Sequence, residues 1–335
     1  MISLSSEGED VDCYDKMKQP AFDNPLLKNH KFQEMPSEFP KGIKTIQKGK
    51  RKQTLESHIS FAKCPHGTVP IRSNNATVNH RKQPDSSSYQ GGHEPIWKPQ
   101  TTPKFYGTKA IVNVWDPELE KGAEEMSISQ IWLASGEYKS GDLNTIEAGW
   151  QVLPQLYNDT KPRLFLFWTS NAYRTGCYNV RCAGFVQTSS SIVVGGSISP
   201  VSSYGGSQFE IAIQVWKDRE YGNWWLSLGS NNELVGYWPA EIFTTLADHA
   251  SVVQWGGEVV NWQRFGRHTT TQMGSGHFPE EGFGKSSYFC NLETVDINNS
   301  LQPVQELKRL VTNPAYYDVK DLYTEDTFFL RGARI

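Results

Sequence analysis

From Phe105 onward, apolar residues recur at every second position in short runs separated by turn residues, and this period limits the folds open to the chain. In Phe209-Glu210-Ile211-Ala212-Ile213-Gln214-Val215-Trp216, the residues Phe209, Ile211, Ile213 and Val215 share one face of an extended strand. Leu164-Phe165-Leu166-Phe167-Trp168 is apolar on both faces, as suits a central strand between packed layers. Trp224 to Leu228 and Glu233 to Trp238 flank Gly229-Ser230-Asn231-Asn232, a hairpin signal. Residues 190–198 read as a further strand with a bulge at Gly195-Gly196. One helix is expected, from Pro239 to Ala250, with proline in its first turn and Ile242, Phe243 and Leu246 on one face. Many short strands with so little helix predict an all-β, antiparallel β-sandwich.

The first hundred residues differ from the rest. They carry a net charge of +4 against −7 for the remaining 235 residues, and Trp97 is their only tryptophan of the chain's 11. Residues 11–39 hold short helix-compatible pieces broken by Pro20, Pro25 and Pro36. Lys41 to Lys52, KGIKTIQKGKRK, lacks interleaved aromatic residues and reads as a solvated linker, so no nucleic-acid partner is expected. Ser73 to Pro103, rich in Asn, Gln, Ser, Gly and Pro, reads as a linker. The expected organisation is a disordered N-terminus at 1–10 without a recognisable signal peptide, a small, partly irregular domain with its linker at 11–95, and a β-sandwich at 104–335. No apolar run approaches the roughly 18 residues of a membrane-spanning helix, so no membrane partner is expected.

The usual catalytic signatures are missing. The chain has no G-x-S-x-G, H-E-x-x-H, Walker or G-x-G-x-x-G motif. Five of its 8 histidines precede residue 101, and His249, His268 and His277 read as surface residues, which leaves a serine or cysteine nucleophile without a base. Cys177 and Cys182 lack a second ligand pair for zinc, and a short-range disulfide is the better reading where the compartment is oxidising. Carboxylates remain. Glu147, in Ile146-Glu147-Ala148-Gly149-Trp150, and Glu258, in Trp255-Gly256-Gly257-Glu258-Val259, each lie in an apolar strand beside glycine and tryptophan. Glycine admits close approach of a backbone or ligand, and an apolar wall raises a carboxyl pKa by desolvation.

Around these residues the chain resembles the neprosin family of plant proteins, glutamic peptidases that cleave after proline. DCYDKMKQPAFDNPLL (12–27) and CPHGTVPIR (64–72) are similar to the family's activation peptide. NTIEAGWQVLPQLYND (144–159), FWTSNAYRTGCYNVRCAGFVQ (167–187) and NWWLSLGSNNELVGYWPAEIFTTLADHASVVQWGGEV (223–259) are similar to its catalytic domain. The resemblance implies two seven-stranded antiparallel sheets in a jelly-roll-like sandwich, a catalytic pair at Glu147 and Glu258, and a Cys177–Cys182 disulfide. It implies a reaction without metal or cofactor, on proline-containing peptides and proteins, best at acid pH. It further implies a monomer in which the chain's own pro-segment is an intramolecular inhibitor. Trp150, Trp255 and Tyr237 are the expected apolar seat for a proline ring.

Charge asymmetry suggests that the basic pro-segment is held on the acidic domain partly by electrostatics, which acid would weaken. The family's signal peptide is absent at this N-terminus; secretion is nevertheless expected, and with it glycosylation at the sequons of Asn75, Asn158 and Asn298. Where the family has a second disulfide near the C-terminus, this chain has Tyr316 and no closing cysteine. Cys290 is then expected to be a buried thiol, and the pairing of Cys13 and Cys64 is left open by sequence. Two rivals use the same features: a non-catalytic sandwich that binds cell-wall carbohydrate by stacking on tryptophans, and a glycosidase using two carboxylates.

Overall fold

The computed structural model describes residues 2–6, 9–42, 54–73, 103–121, 125–260, 268–304, 307–322 and 327–330. The basic linker from 43 onward, the linker at 74–102 and the Asn75 sequon lie outside the described residues.

The strands are, in chain order, β1 (Ile2–Ser6), β2 (Glu9–Asp15), β3 (Leu55–Glu56), β4 (His58–Ile59), β5 (Thr68–Arg72), β6 (Gly107–Asn113), β7 (Ser127–Ser135), β8 (Asn144–Val152), β9 (Arg163–Ser170), β10 (Thr175–Tyr178), β11 (Val186–Gln187), β12 (Ile198–Ser199), β13 (Phe209–Lys217), β14 (Trp224–Leu228), β15 (Glu233–Trp238), β16 (Val252–Val259), β17 (Ser287–Val295), β18 (Leu301–Pro303), β19 (Val319–Leu322) and β20 (Thr327–Leu330). A five-stranded antiparallel sheet runs β10-β9-β8-β7-β16. A ten-stranded sheet has the path β11-β15-β14-β13-β6-β17-β20-β19, with β18 beside β17 and β3 beside β13. The all-β sandwich is as expected, but among the described residues the strands divide five and ten rather than seven and seven. Short strands, one from the N-terminal segment, extend the larger sheet.

The core lies between these sheets. Ile131, Leu133, Ile146, Ala148, Trp150, Leu164, Leu166 and Trp168 from one layer pack with Val112, Ile211, Ile213, Val215, Leu226 and Phe289 from the other. The alternation read at 209–216 therefore becomes the inner face of β13. The predicted hairpin forms between β14 and β15, with a bulge at Leu226/Ser227.

Two expected elements are absent. Residues 239–250 contain only a 3₁₀ turn at Ala240–Ile242, and Phe243 is already extended at φ −109°, ψ 155°. Tertiary bonds replace the helical ladder: Oδ1 of Asn144 accepts from the backbone N–H groups of Thr244 and Leu246 at 2.7 and 3.3 Å. Ile242, Phe243 and Leu246 still reach the core. Residues 190–197 form isolated bridges rather than a continuous strand, Phe61 opposite Ile192, Ile71 opposite Val194 and Arg163 opposite Ser197, and only Ile198 enters a strand, β12, opposite Ile59 of β4.

Among the described residues, the N-terminal segment carries regular structure from Ile2 onward. Instead of a disordered 1–10, β1, β2 and β5 form a three-stranded sheet. The disulfide Cys13–Cys64 ties β2 to the approach of β5. Residues 16–27 form three short 3₁₀ turns, each proline-started or Asp-capped. Ala21, with the partly buried Phe22 and Phe32, covers Val186, Trp216, Trp225 and Tyr237 on the outer face of the larger sheet. Among the described residues the ion pairs across this boundary are of both polarities: Glu9–Arg163 and Glu38–Arg219 place the acid on the N-terminal segment, and His30–Glu241 places the acid on the larger domain. The basic run from Lys44 to Lys52, on which the expected electrostatic attachment rests, lies outside the described residues.

Candidate active site

Side chains alternate across a strand, so the register of the five-stranded sheet sorts its residues onto two faces. Glu147 on β8 pairs with Trp132 on β7 and with Phe167 on β9. Trp132 in turn pairs with Gln254 on β16, and Glu258 lies four residues further along that strand. Glu147 and Glu258 therefore share the outer face, on strands separated only by β7. The sequence pair is brought together by register.

The face between them is distinctive. Gln130 of β7 has a glycine opposite it on either side, Gly149 of β8 and Gly256 of β16. Glu147 is one step from Gly149 on that face, and Glu258 one step from Gly256 in the other direction. Gln130 thus occupies the midpoint of the diagonal joining the two acids. A side chain at Gly256 would meet nothing within 4 Å, so room exists beside Gln130. At Gly149, by contrast, a Cβ would fall 2.0 Å from the Ser129 carbonyl oxygen, and only glycine permits this close strand approach.

Glu147 is 6% exposed, and its carboxyl pKa is raised well above the ordinary glutamate value. Burial is the main cause, the nearby Glu258 carboxylate adds to it, and a hydrogen bond from Thr145 opposes both. Thr145 Oγ1 lies 3.0 Å from Glu147 Oε1 and 2.9 Å from Thr169 Oγ1, forming a hydroxyl chain behind the acid. Such an arrangement holds a proton on one carboxyl at a pH where an exposed acid would have lost it.

The expected proline seat is not on this face. Trp150 is fully buried in the inter-sheet core, where its Nε1 donates to the Asn113 carbonyl at 2.9 Å. Trp255 packs against the same core, and its Nε1 donates to Thr108 Oγ1 at 3.1 Å. Each is three residues from its glutamate, an odd offset that turns it to the opposite face. Tyr237 belongs to the other sheet and is fully buried beneath the N-terminal segment, with His30 Nε2 at 2.9 Å and the Gln33 N–H donating to it at 3.0 Å. Trp132 and Phe167, which sequence reading passed over, directly flank Glu147. Phe167 also stacks on Tyr178, with ring centroids 4.1 Å apart. Strand parity within IWLAS and LFLFW was the signal for them.

Among the other expected residues, Cys177–Cys182 is a disulfide joining β10 to its following turn. Asn158 and Asn298 are exposed. His268 is not a surface residue: it is 8% exposed and stacked on Tyr316, ring centroids 3.6 Å apart. Cys290 is buried, as expected, and belongs to neither disulfide.

Two family models match the chain in the order read from sequence. The Neprosin activation peptide model covers residues 2–90 and the Neprosin model covers residues 123–333. Among solved structures, a crystal structure of scytalido-glutamic peptidase with a peptide-based transition-state analogue is 11% identical, at a TM-score of 0.36 over 68% of this chain and 92% of that one. A second, with a transition-state-analogue inhibitor, is 10% identical at the same score and coverage. The chain belongs to the Neprosin family, a peptidase domain preceded by its activation peptide.

Proposed function

We propose that this peptidase is an endopeptidase that cleaves after proline at acid pH, with Glu147 and Glu258 activating water and the scissile carbonyl. The observation that carries this reading is the pair itself: two carboxyls on one sheet face, the more buried one holding its proton through burial and through its neighbour's charge. Two acids so coupled titrate as a unit, and one shared proton gives a window of activity at low pH. In that window Glu147 carries the proton and Glu258 is ionised. Glu258 takes a proton from water as the water oxygen bonds to the carbonyl carbon. Glu147 hydrogen-bonds the carbonyl oxygen and then gives its proton to the departing amine as the C–N bond breaks. Trp132 and Phe167 provide apolar surface for the proline ring beside Glu147.

The N-terminal segment fits an inhibitory role, since it adds the strand β3 to the larger sheet and its Glu9 reaches Arg163 on the same face as Glu147. Two disulfides support a life in an oxidising, secretory compartment. Stacking on carbohydrate is less well supported. Trp150, Trp168, Trp216, Trp224, Trp225 and Trp238 are fully buried, and among the described residues the exposed large apolar side chains include no tryptophan.

The test is cleavage of a proline-containing peptide by the acid-treated chain, beside Glu147→Gln and Glu258→Gln. Cleavage on the carboxyl side of proline that falls by about 10³-fold or more in each variant supports the assignment. Cleavage that survives either change overturns it.

A further inference from the structure

Gln130 is 3% exposed, and its Oε1 is a buried oxygen with no hydrogen-bond partner among the described residues. An unpartnered buried amide oxygen is costly, and strands seldom keep one without a reason. Its position supplies the reason. It sits between Gly149 and Gly256, which carry no side chains to crowd it, and one diagonal step from each glutamate. Diagonal neighbours in an antiparallel sheet stand about 7–8 Å apart, within reach of a Gln and a Glu that share one water molecule.

Resting on the two-glutamate reading, we infer that Gln130 seats the attacking water. Water has two protons to place. An ionised Glu258 accepts a hydrogen bond from one, and Oε1 of Gln130 accepts from the other, so that a lone pair of the water oxygen is aimed at the carbonyl carbon. As the C–O bond forms, the first proton moves to Glu258. Gln130 neither gains nor loses a proton; it fixes the orientation and releases the water as it becomes part of the tetrahedral adduct. A neutral amide suits this place, because a third carboxylate would compete for the proton shared by Glu147 and Glu258.

The test uses the acid-treated full chain on one proline-containing peptide, with kcat, KM and thermal midpoint measured for wild type, Glu147→Gln, Gln130→Leu and Gln130→Glu. Gln130→Leu is expected to lower kcat about 100-fold with KM changed less than about threefold. Its thermal midpoint should hold or rise, since leucine removes the unpartnered oxygen. Gln130→Glu adds a third carboxylate beside the pair and should move the pH–rate profile, whereas a kcat loss at unchanged KM and midpoint in Gln130→Leu is the effect that a merely structural glutamine would not produce. A Gln130→Leu kcat within about threefold of wild type overturns the inference, as does a rise in KM alone or an activity loss that tracks a falling midpoint. In those cases the two-glutamate reading stands if Glu147→Gln is still inactive. A folded wild type that cleaves nothing overturns both.

Discussion

Glu9 and Arg163 form a buried ion pair across the boundary between the activation peptide and the peptidase sheet, with Nη1 of Arg163 donating to Oε1 of Glu9 at 2.7 Å and each side chain 2% exposed. Arg163 also binds Asp159 and donates to the Gly195 carbonyl at 2.8 Å, while Glu9 takes a second bond from Arg72 at 2.8 Å. This well-connected pair anchors the activation peptide to the sheet that carries Glu147.

Glu9→Gln is expected to loosen that anchor. Removing one partner of a buried pair costs roughly 3–5 kcal/mol when the other is left uncompensated. Here the loss should fall below that range, because Asp159 and Gly195 still serve Arg163. The check is limited proteolysis at neutral pH: the N-terminal hairpin of Glu9→Gln should be cut faster than that of wild type. Equal rates would mean that strand pairing and the disulfide alone hold the segment.

Stability should depend on pH through Glu147. Its folded pKa lies well above the unfolded value of 4.5, so the folded state binds the extra proton. The resulting stability is fully present below about pH 4.5 and is lost as pH rises through the folded pKa. Glu147→Gln keeps a neutral side chain at all pH values. Its thermal midpoint should match wild type near pH 4 and exceed it at pH 7. A wild-type excess at neutral pH would contradict the protonated assignment.

Trp132→Ala should reduce kcat/KM on a proline-containing peptide by roughly 10- to 200-fold, the range for lost apolar contact in a substrate pocket. Trp150→Phe should destabilise the fold and leave the preference for proline unchanged, because Trp150 lies on the inner face. Peptide-library cleavage with both variants checks the pair, and an altered preference only in Trp150→Phe would reverse the assignment.

The disulfides should differ in worth. Cys13–Cys64 closes a loop with a separation of 51 residues, and Cys177–Cys182 one of 5. Loop-closure entropy then gives about 4 and about 2 kcal/mol. Urea midpoints of the two Cys→Ser double variants should follow that order. The reverse order would show that local contacts around β10 outweigh chain entropy.

Within each strand the sequence by itself determined a great deal: the period of two, the both-face burial of β9, the β14–β15 hairpin, and two acids set beside glycine and tryptophan in apolar strands. It even contained the evidence against Trp150 and Trp255, since an offset of three residues places a side chain on the opposite face from its glutamate. What it did not contain was register. That Glu147 stands beside Trp132 and Phe167, that Gln130 lies between the acids, and that Asn144 draws residues 244–246 out of a helix all depend on which residues meet across separate strands. Those meetings are fixed by packing between segments distant in the chain. Local pattern sets which way a side chain points, and only the assembled sheets decide what it points at.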